Sequence, residues 1–125
     1  MIRAIPNAGR DVAEYIAYRT DCPMPDPAWY VGFEDGKGLI GGLIFYGPEG
    51  DAVHVGWAFE PGTLTLGLIV YVRWCVLWTA FVGLGYDHLI ADVRKDDTRA
   101  IRLVQKMKFK LSSVKGDRYE YRLEG

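Results

Sequence analysis

A chain of 125 residues, half hydrophobic and a quarter charged, has the length and balance of a single ordered domain rather than of a disordered chain. Its net charge of −1 predicts no indiscriminate attraction to nucleic acid or anionic lipid. Two cysteines, Cys22 and Cys75, and two isolated histidines, His54 and His88, at no metal-ligand spacing argue against a thiol catalyst or a zinc site.

The charge is unevenly spread. Residues 94–125 hold ten Lys and Arg against five acids and residues 1–93 five against eleven, so +5 and −6 make up the −1; one end of the fold should be basic and the other acidic. No secretory pattern opens the sequence, and reduced thiols in a cytoplasm are the expectation.

In chain order, Met1 to Ile5 alternates apolar positions and stops at Pro6 and Asn7, the pattern of an edge strand. Asn7 or Asp11 caps a helix to about Arg19, with Val12, Tyr15 and Ile16 on one face. Asp21 to Pro27 holds three prolines and is a loop. Ala28 to Glu34, Leu39 to Tyr46 and Ala52 to Phe59 read as three antiparallel strands joined by turns at 35–38 and 47–51. In the third strand, Val53, Val55, Trp57 and Phe59 point one way and His54, Gly56, Ala58 and Glu60 the other. Pro61-Gly62 ends it, and Thr63 or Thr65 offers an N-cap for the next element.

That element, Leu66 to Tyr86, is an apolar run interrupted by the single charge Arg73. Two readings fit it: a helix packed between a sheet and its neighbours, or a membrane-contacting segment, since about 20 residues suffice to span a bilayer. Arg73 near the middle and the lack of flanking positive residues favour the first. Gly83 and Gly85 close the helix. His88 to Val93 is then a strand reached by crossover. Asp96 or Asp97 caps a second helix carrying Ala100, Ile101, Val104 and Met107 at core spacing. Phe109 to Val114 and Arg118 to Leu123 form a closing hairpin.

This order of elements, together with DVRKDDTRAIRLVQKMKF (Asp92 to Phe109), in which Ala100, Ile101, Leu103, Lys106 and Phe109 fall in place, resembles the GCN5-related N-acetyltransferase (GNAT) family. The resemblance implies one α+β domain over residues 1–125, a three-layer arrangement with a mixed, mostly antiparallel central sheet whose middle strands splay and are flanked by helices. It implies acetyl-CoA as cofactor. Main-chain groups of Gly56, Trp57 and Ala58 would take the pantetheine arm and the oxyanion. The leading end of the apolar helix, with Thr63, Thr65 and Gly67, would take the pyrophosphate, and Asp97 stands where the family usually has Asn. Glu60 would be the catalytic base, with His54 and Glu34 behind it, and Tyr119 or Tyr121 the acid for the leaving thiolate.

The sequence departs from the family in Gly62 to Leu68, which lacks a basic or amide start and the glycine spacing and carries bulky Leu64, Leu66 and Leu68. Val104 stands where many members have a Tyr, and Lys108 where Gly is usual; as a left-handed cap Lys108 would cost about 1 kcal/mol. Two functions follow. One is an acetyl-CoA-dependent N-acetyltransferase of an unidentified small-molecule or protein amine. The other is a catalytically silent relative acting through its surface on a protein partner, in the manner of the degenerate acetyltransferase-like proteins of tailed bacteriophages, some of them virion components. Neither calls for nucleic acid, and self-association is compatible with both.

Overall fold

The computed structural model describes residues 2–8, 10–20 and 27–125, with side chains placed at 2–5, 11–16 and 27–125. Of the expected loop Asp21 to Pro27, all but Pro27, Cys22 included, lies outside the described residues, as does the side chain of Asn7. The protein has a mixed α+β fold with seven strands in the order β1-β2-β3-β4-β5-β7-β6, mostly antiparallel and accompanied by helices. Two compact units make it up, one of residues 1–47 and 55–65 and the other of residues 48–54 and 66–125.

The first unit is a meander with one covering helix. β1 (Arg3–Ala8) pairs antiparallel with β2 (Ala28–Glu34), bringing Arg3 opposite Glu34, and the Arg3 guanidinium binds the Glu34 carboxylate. The strand outruns the stop expected at Ile5. Its register shifts between Ile5 and Ala8, an irregular stretch of an edge strand where Pro6, lacking an N–H, breaks no ladder. β2 turns into β3 (Leu39–Glu49) through an Asx turn in which Lys37 N–H donates to Asp35 Oδ1 at 2.9 Å.

β3 runs three residues beyond the expected end at Tyr46, because Gly47, at φ 57°, is carried inside the strand and the reversal is made at Gly50, φ 60°. On one face of the sheet, α1 (Arg10–Thr20) lays Val12 and Ile16 on Ile44 and Ala58 of β3 and β4 (Ala52–Phe59). The approach is close enough that a Cβ on Gly42 would lie 2.7 Å from Val12. On the other face the Phe59 ring covers Gly41 and tilts against Phe33, centroids 5.5 Å apart.

In the second unit the first residues of β4 pair in parallel with β5 (His88–Arg94), Ala52 with His88 through His54 with Ile90, which meets the expectation of a crossover strand. The crossover is α2 (Leu66–Leu77), which widens into a π-helical turn over Trp78–Gly83, where Leu84 N–H reaches Thr79 O at 2.8 Å. Gly85, at φ 78°, follows. The packing expected of a helix set between a sheet and its neighbours is found on one side only. Leu68, Ile69, Val72, Cys75 and Val76 are buried, while Leu66, Val70, Trp74, Trp78 and Val82 face solvent. By length and composition alone Leu66–Gly83 could cross a membrane, a test that core helices of soluble folds also pass. Arg73 does not oppose the packing, since its Nε donates to the Met107 carbonyl at 3.1 Å.

α3 (Thr98–Lys106) is capped by Asp97, whose Oδ1 accepts Ala100 N–H at 3.1 Å. It ends in a Schellman motif: Lys108 N–H donates to Gln105 O and Phe109 N–H to Val104 O, each at 3.0 Å. Lys108 has φ 71°, the one non-glycine with positive φ among the described residues, as its place opposite the family's glycine anticipates. β6 (Lys110–Lys115) and β7 (Arg118–Glu124) form the closing hairpin, with β7 between β5 and β6. Val104, Met107 and Phe109 join Leu89, Ile90 and Val93 among the buried side chains of this unit.

Candidate functional site

Glu60 follows directly on β4 and is held at several points. Its N–H donates to Ile40 O at 2.8 Å, and its carbonyl accepts Thr63 N–H at 3.3 Å and the Thr63 hydroxyl at 2.7 Å. The Tyr15 hydroxyl donates to its Oε1 at 3.0 Å. These bonds follow from local sequence. Pro61-Gly62 forces the chain to reverse, Gly62 at φ 79°, so the threonine three residues on comes back under the Glu60 carbonyl. Strand alternation puts Glu60 on the face that α1 covers, where Tyr15 meets it. A half-buried carboxylate fixed at the backbone and oriented by a phenol is what a proton acceptor requires.

Thr63, expected to cap the helix, therefore spends its hydroxyl on the turn, while its carbonyl accepts Thr65 N–H at 2.9 Å. Thr65 immediately precedes α2. The leading turn of α2 contains no acidic residue, and its first N–H groups have no partners within the helix. A Cβ on Gly67 would meet nothing within 4 Å. Of the bulky residues expected to crowd an anion there, Leu68 is turned into the core and Leu66 is exposed. The donor set and the open space at Gly67 fit a phosphate group.

Of the β4 candidates, Ala58 is buried beside α1, Gly56 lies against Ile44, where a Cβ would come within 3.2 Å, and Trp57 is half-buried. His54 Nε2 stands 3.7 Å from Asp92 Oδ2 on β5, an ion pair when the imidazole is protonated. Asp92 is the register partner of Glu120 on β7. Glu120 is nearly buried and accepts from Lys115 Nζ at 2.8 Å and Arg122 Nε at 3.2 Å. The Lys115 hydrogen bond foremost, then that of Arg122, holds the Glu120 carboxyl below its ordinary value against a burial penalty that raises it, and the same bond raises Lys115.

Tyr119 sits on β7 with its ring edge-on to Tyr121, centroids 6.3 Å apart, and Lys95 Nζ 5.5 Å from its centroid. Glu34 is engaged by Arg3. Asp97 acts as the α3 cap. Burial pushes the Cys75 thiol above its ordinary value, disfavouring the thiolate. Among the described residues no group of three or more His, Cys, Asp or Glu could hold a metal ion.

Two partners were missed in the sequence. In the sequence Tyr15 reads only as part of a helix face and Asp92 only as part of a strand. They lie 45 and 38 positions from Glu60 and His54, and no local pattern joins them.

No family profile and no curated protein matches the sequence. Solved structures do match the fold. Campylobacter jejuni N-acetyltransferase PseH in complex with acetyl coenzyme A aligns with a TM-score of 0.70 at 18% identity, over 99% of each chain. The spermidine/spermine N-acetyltransferase SpeG of Vibrio cholerae aligns with a TM-score of 0.77 at 11% identity, over 99% of this chain and 95% of that one. A GNAT-family acetyltransferase of Bacillus anthracis aligns with a TM-score of 0.62 at 17% identity, over 82% and 68%. The protein has the GNAT fold.

Proposed function

We propose that the protein transfers an acetyl group from acetyl-CoA to an amine. The observation that carries this reading is the full-length likeness to N-acetyltransferases, one of them solved with acetyl-CoA; the anchored Glu60 supports it. When bound, acetyl-CoA supplies a thioester, an acyl group activated toward a neutral amine. Gly56, Trp57 and Ala58 would offer main-chain groups to it. The first turn of α2 around Gly67 would hold its phosphates by main-chain N–H groups and the positive end of the helix dipole.

Glu60 would accept the proton that the amine sheds on forming its new C–N bond, with Tyr15 keeping the carboxylate in one orientation. Tyr119 is the candidate donor to the departing thiolate, with His54, paired to Asp92, the second candidate base. The acceptor is an amine of unassigned identity; among the relatives, SpeG is named for spermidine and spermine.

Titration calorimetry with acetyl-CoA, followed by thiol release over a panel of polyamines, amino sugars and peptide N-termini, tests the reading. Micromolar heat and turnover with at least one amine are expected. Glu60→Gln should lower kcat by about 10²-fold, the usual scale of general-base catalysis, with acetyl-CoA affinity kept. No heat at millimolar acetyl-CoA would refute the proposal and favour a silent relative acting through its surface.

A further inference from the structure

The outward side of α2 and its π turn is unlike the rest of the surface. Leu66, Val70, Trp74, Trp78 and Val82 recur every four residues, with Tyr71 beside them, and their exposures run from 37% at Tyr71 to 71% at Leu66. With aromatic side chains of about 150–250 Å² each, the stripe presents on the order of 800 Å² of apolar surface. The largest apolar patch of an ordinary monomer is about 300–600 Å², and a stable dimer of standard size removes about 800 Å² from each partner. We propose that this stripe is a two-fold interface, α2 of one molecule packing on α2 of a second copy.

Three features favour a second copy over any other occupant. The stripe follows the i±4 rows of the helix, and two such rows interdigitate at about −50°, the commonest crossing in globular proteins. One ridge set thus supplies both halves of a self-complementary contact. The stripe carries no charge, because Arg73, the single charged residue between Leu66 and Tyr86, donates to the Met107 carbonyl; two copies meet without like-charge repulsion. A lipid surface fits less well. Interfacial helices carry Lys and Arg opposite their apolar face, whereas the opposite side of α2 is Leu68, Ile69, Val72, Cys75 and Val76, all buried.

The test is sedimentation of the full chain between about 1 and 100 μM, with a mass twice the 14.1 kDa of the chain expected. Trp74→Glu, with its fold checked by circular dichroism, should weaken dimerisation at least about 30-fold, as for a tryptophan hot spot. Val70→Cys, a small change on the same stripe that leaves Trp74 in place, provides a measurement that keeps the dimer: oxidation should link it covalently beyond the level of the wild type, and should not so link Val114→Cys, also exposed, on β6. A 14.1 kDa species throughout the range, a dimer indifferent to Trp74→Glu, or a monomer that co-sediments with phosphatidylcholine vesicles would each overturn the proposal.

Discussion

Replacing Lys108 by glycine should stabilise the protein. Lys108 is the C′ residue of the α3 Schellman motif and sits at φ 71°, where an L side chain costs about 1–2 kcal/mol. Its side chain is exposed and both motif hydrogen bonds are main-chain, so Lys108→Gly removes strain without removing a bond. Two terms offset the gain. Glycine has more freedom to lose from the unfolded chain, about 0.4–1 kcal/mol, and a cation leaves the negative end of the helix, about 0.3 kcal/mol. The centres of these ranges leave a net gain of about 0.5 kcal/mol, or a rise in Tm of roughly 2 °C for a domain of this size. Urea unfolding followed by tryptophan fluorescence should show a higher midpoint at unchanged slope, whereas Lys108→Val, β-branched at positive φ, should be destabilised. A Lys108→Gly midpoint equal to or below that of the wild type would refute the strain argument.

Gly41→Ala should cost about 1–3 kcal/mol, read by the same urea curves, because its new Cβ overlaps the Phe59 ring and displaces it from Phe33. Tyr15→Phe deletes a hydrogen bond worth about 1 kcal/mol and should lower kcat several-fold in the thiol-release assay while leaving KM for acetyl-CoA within twofold. Glu120 sets an acid limit. Its folded pKa lies below the ordinary 4.5, so its stabilisation is complete above that value and is lost as pH falls through the folded pKa. Glu120→Gln should lower stability at neutral pH and flatten its decline below about pH 4.5, as measured by denaturation across pH.

How much was legible depended on whether the determinant was local. The limits of β2 and β4 could be read from the residues because Asp35-Gly36, Gly50-Asp51 and Pro61-Gly62 are turn formers on either side of β-branched and aromatic runs, and the Asp97 cap and Lys108 strain from their positions around α3. Gly47-Pro48 misled because glycine at positive φ serves a bulge as well as a turn. The apolar run from Leu66 offered no periodicity to separate α from π turns or a buried from an exposed side, since both faces are equally apolar. In the candidate site, the Glu60 turn was local, whereas its bond to Tyr15 and the pairing of His54 with Asp92 depend on tertiary packing.

The place of β7 bears on how the chain can be made. β5 is translated well before the strand that hydrogen-bonds its free edge from His88 to Arg94. During folding that edge therefore stays unpaired until residues 118–124 dock on it, and until then it offers a neighbouring unfolded chain a template. Arg94 and Lys95 at its far end carry the like charge that makes such an edge a poor template for a second copy of itself.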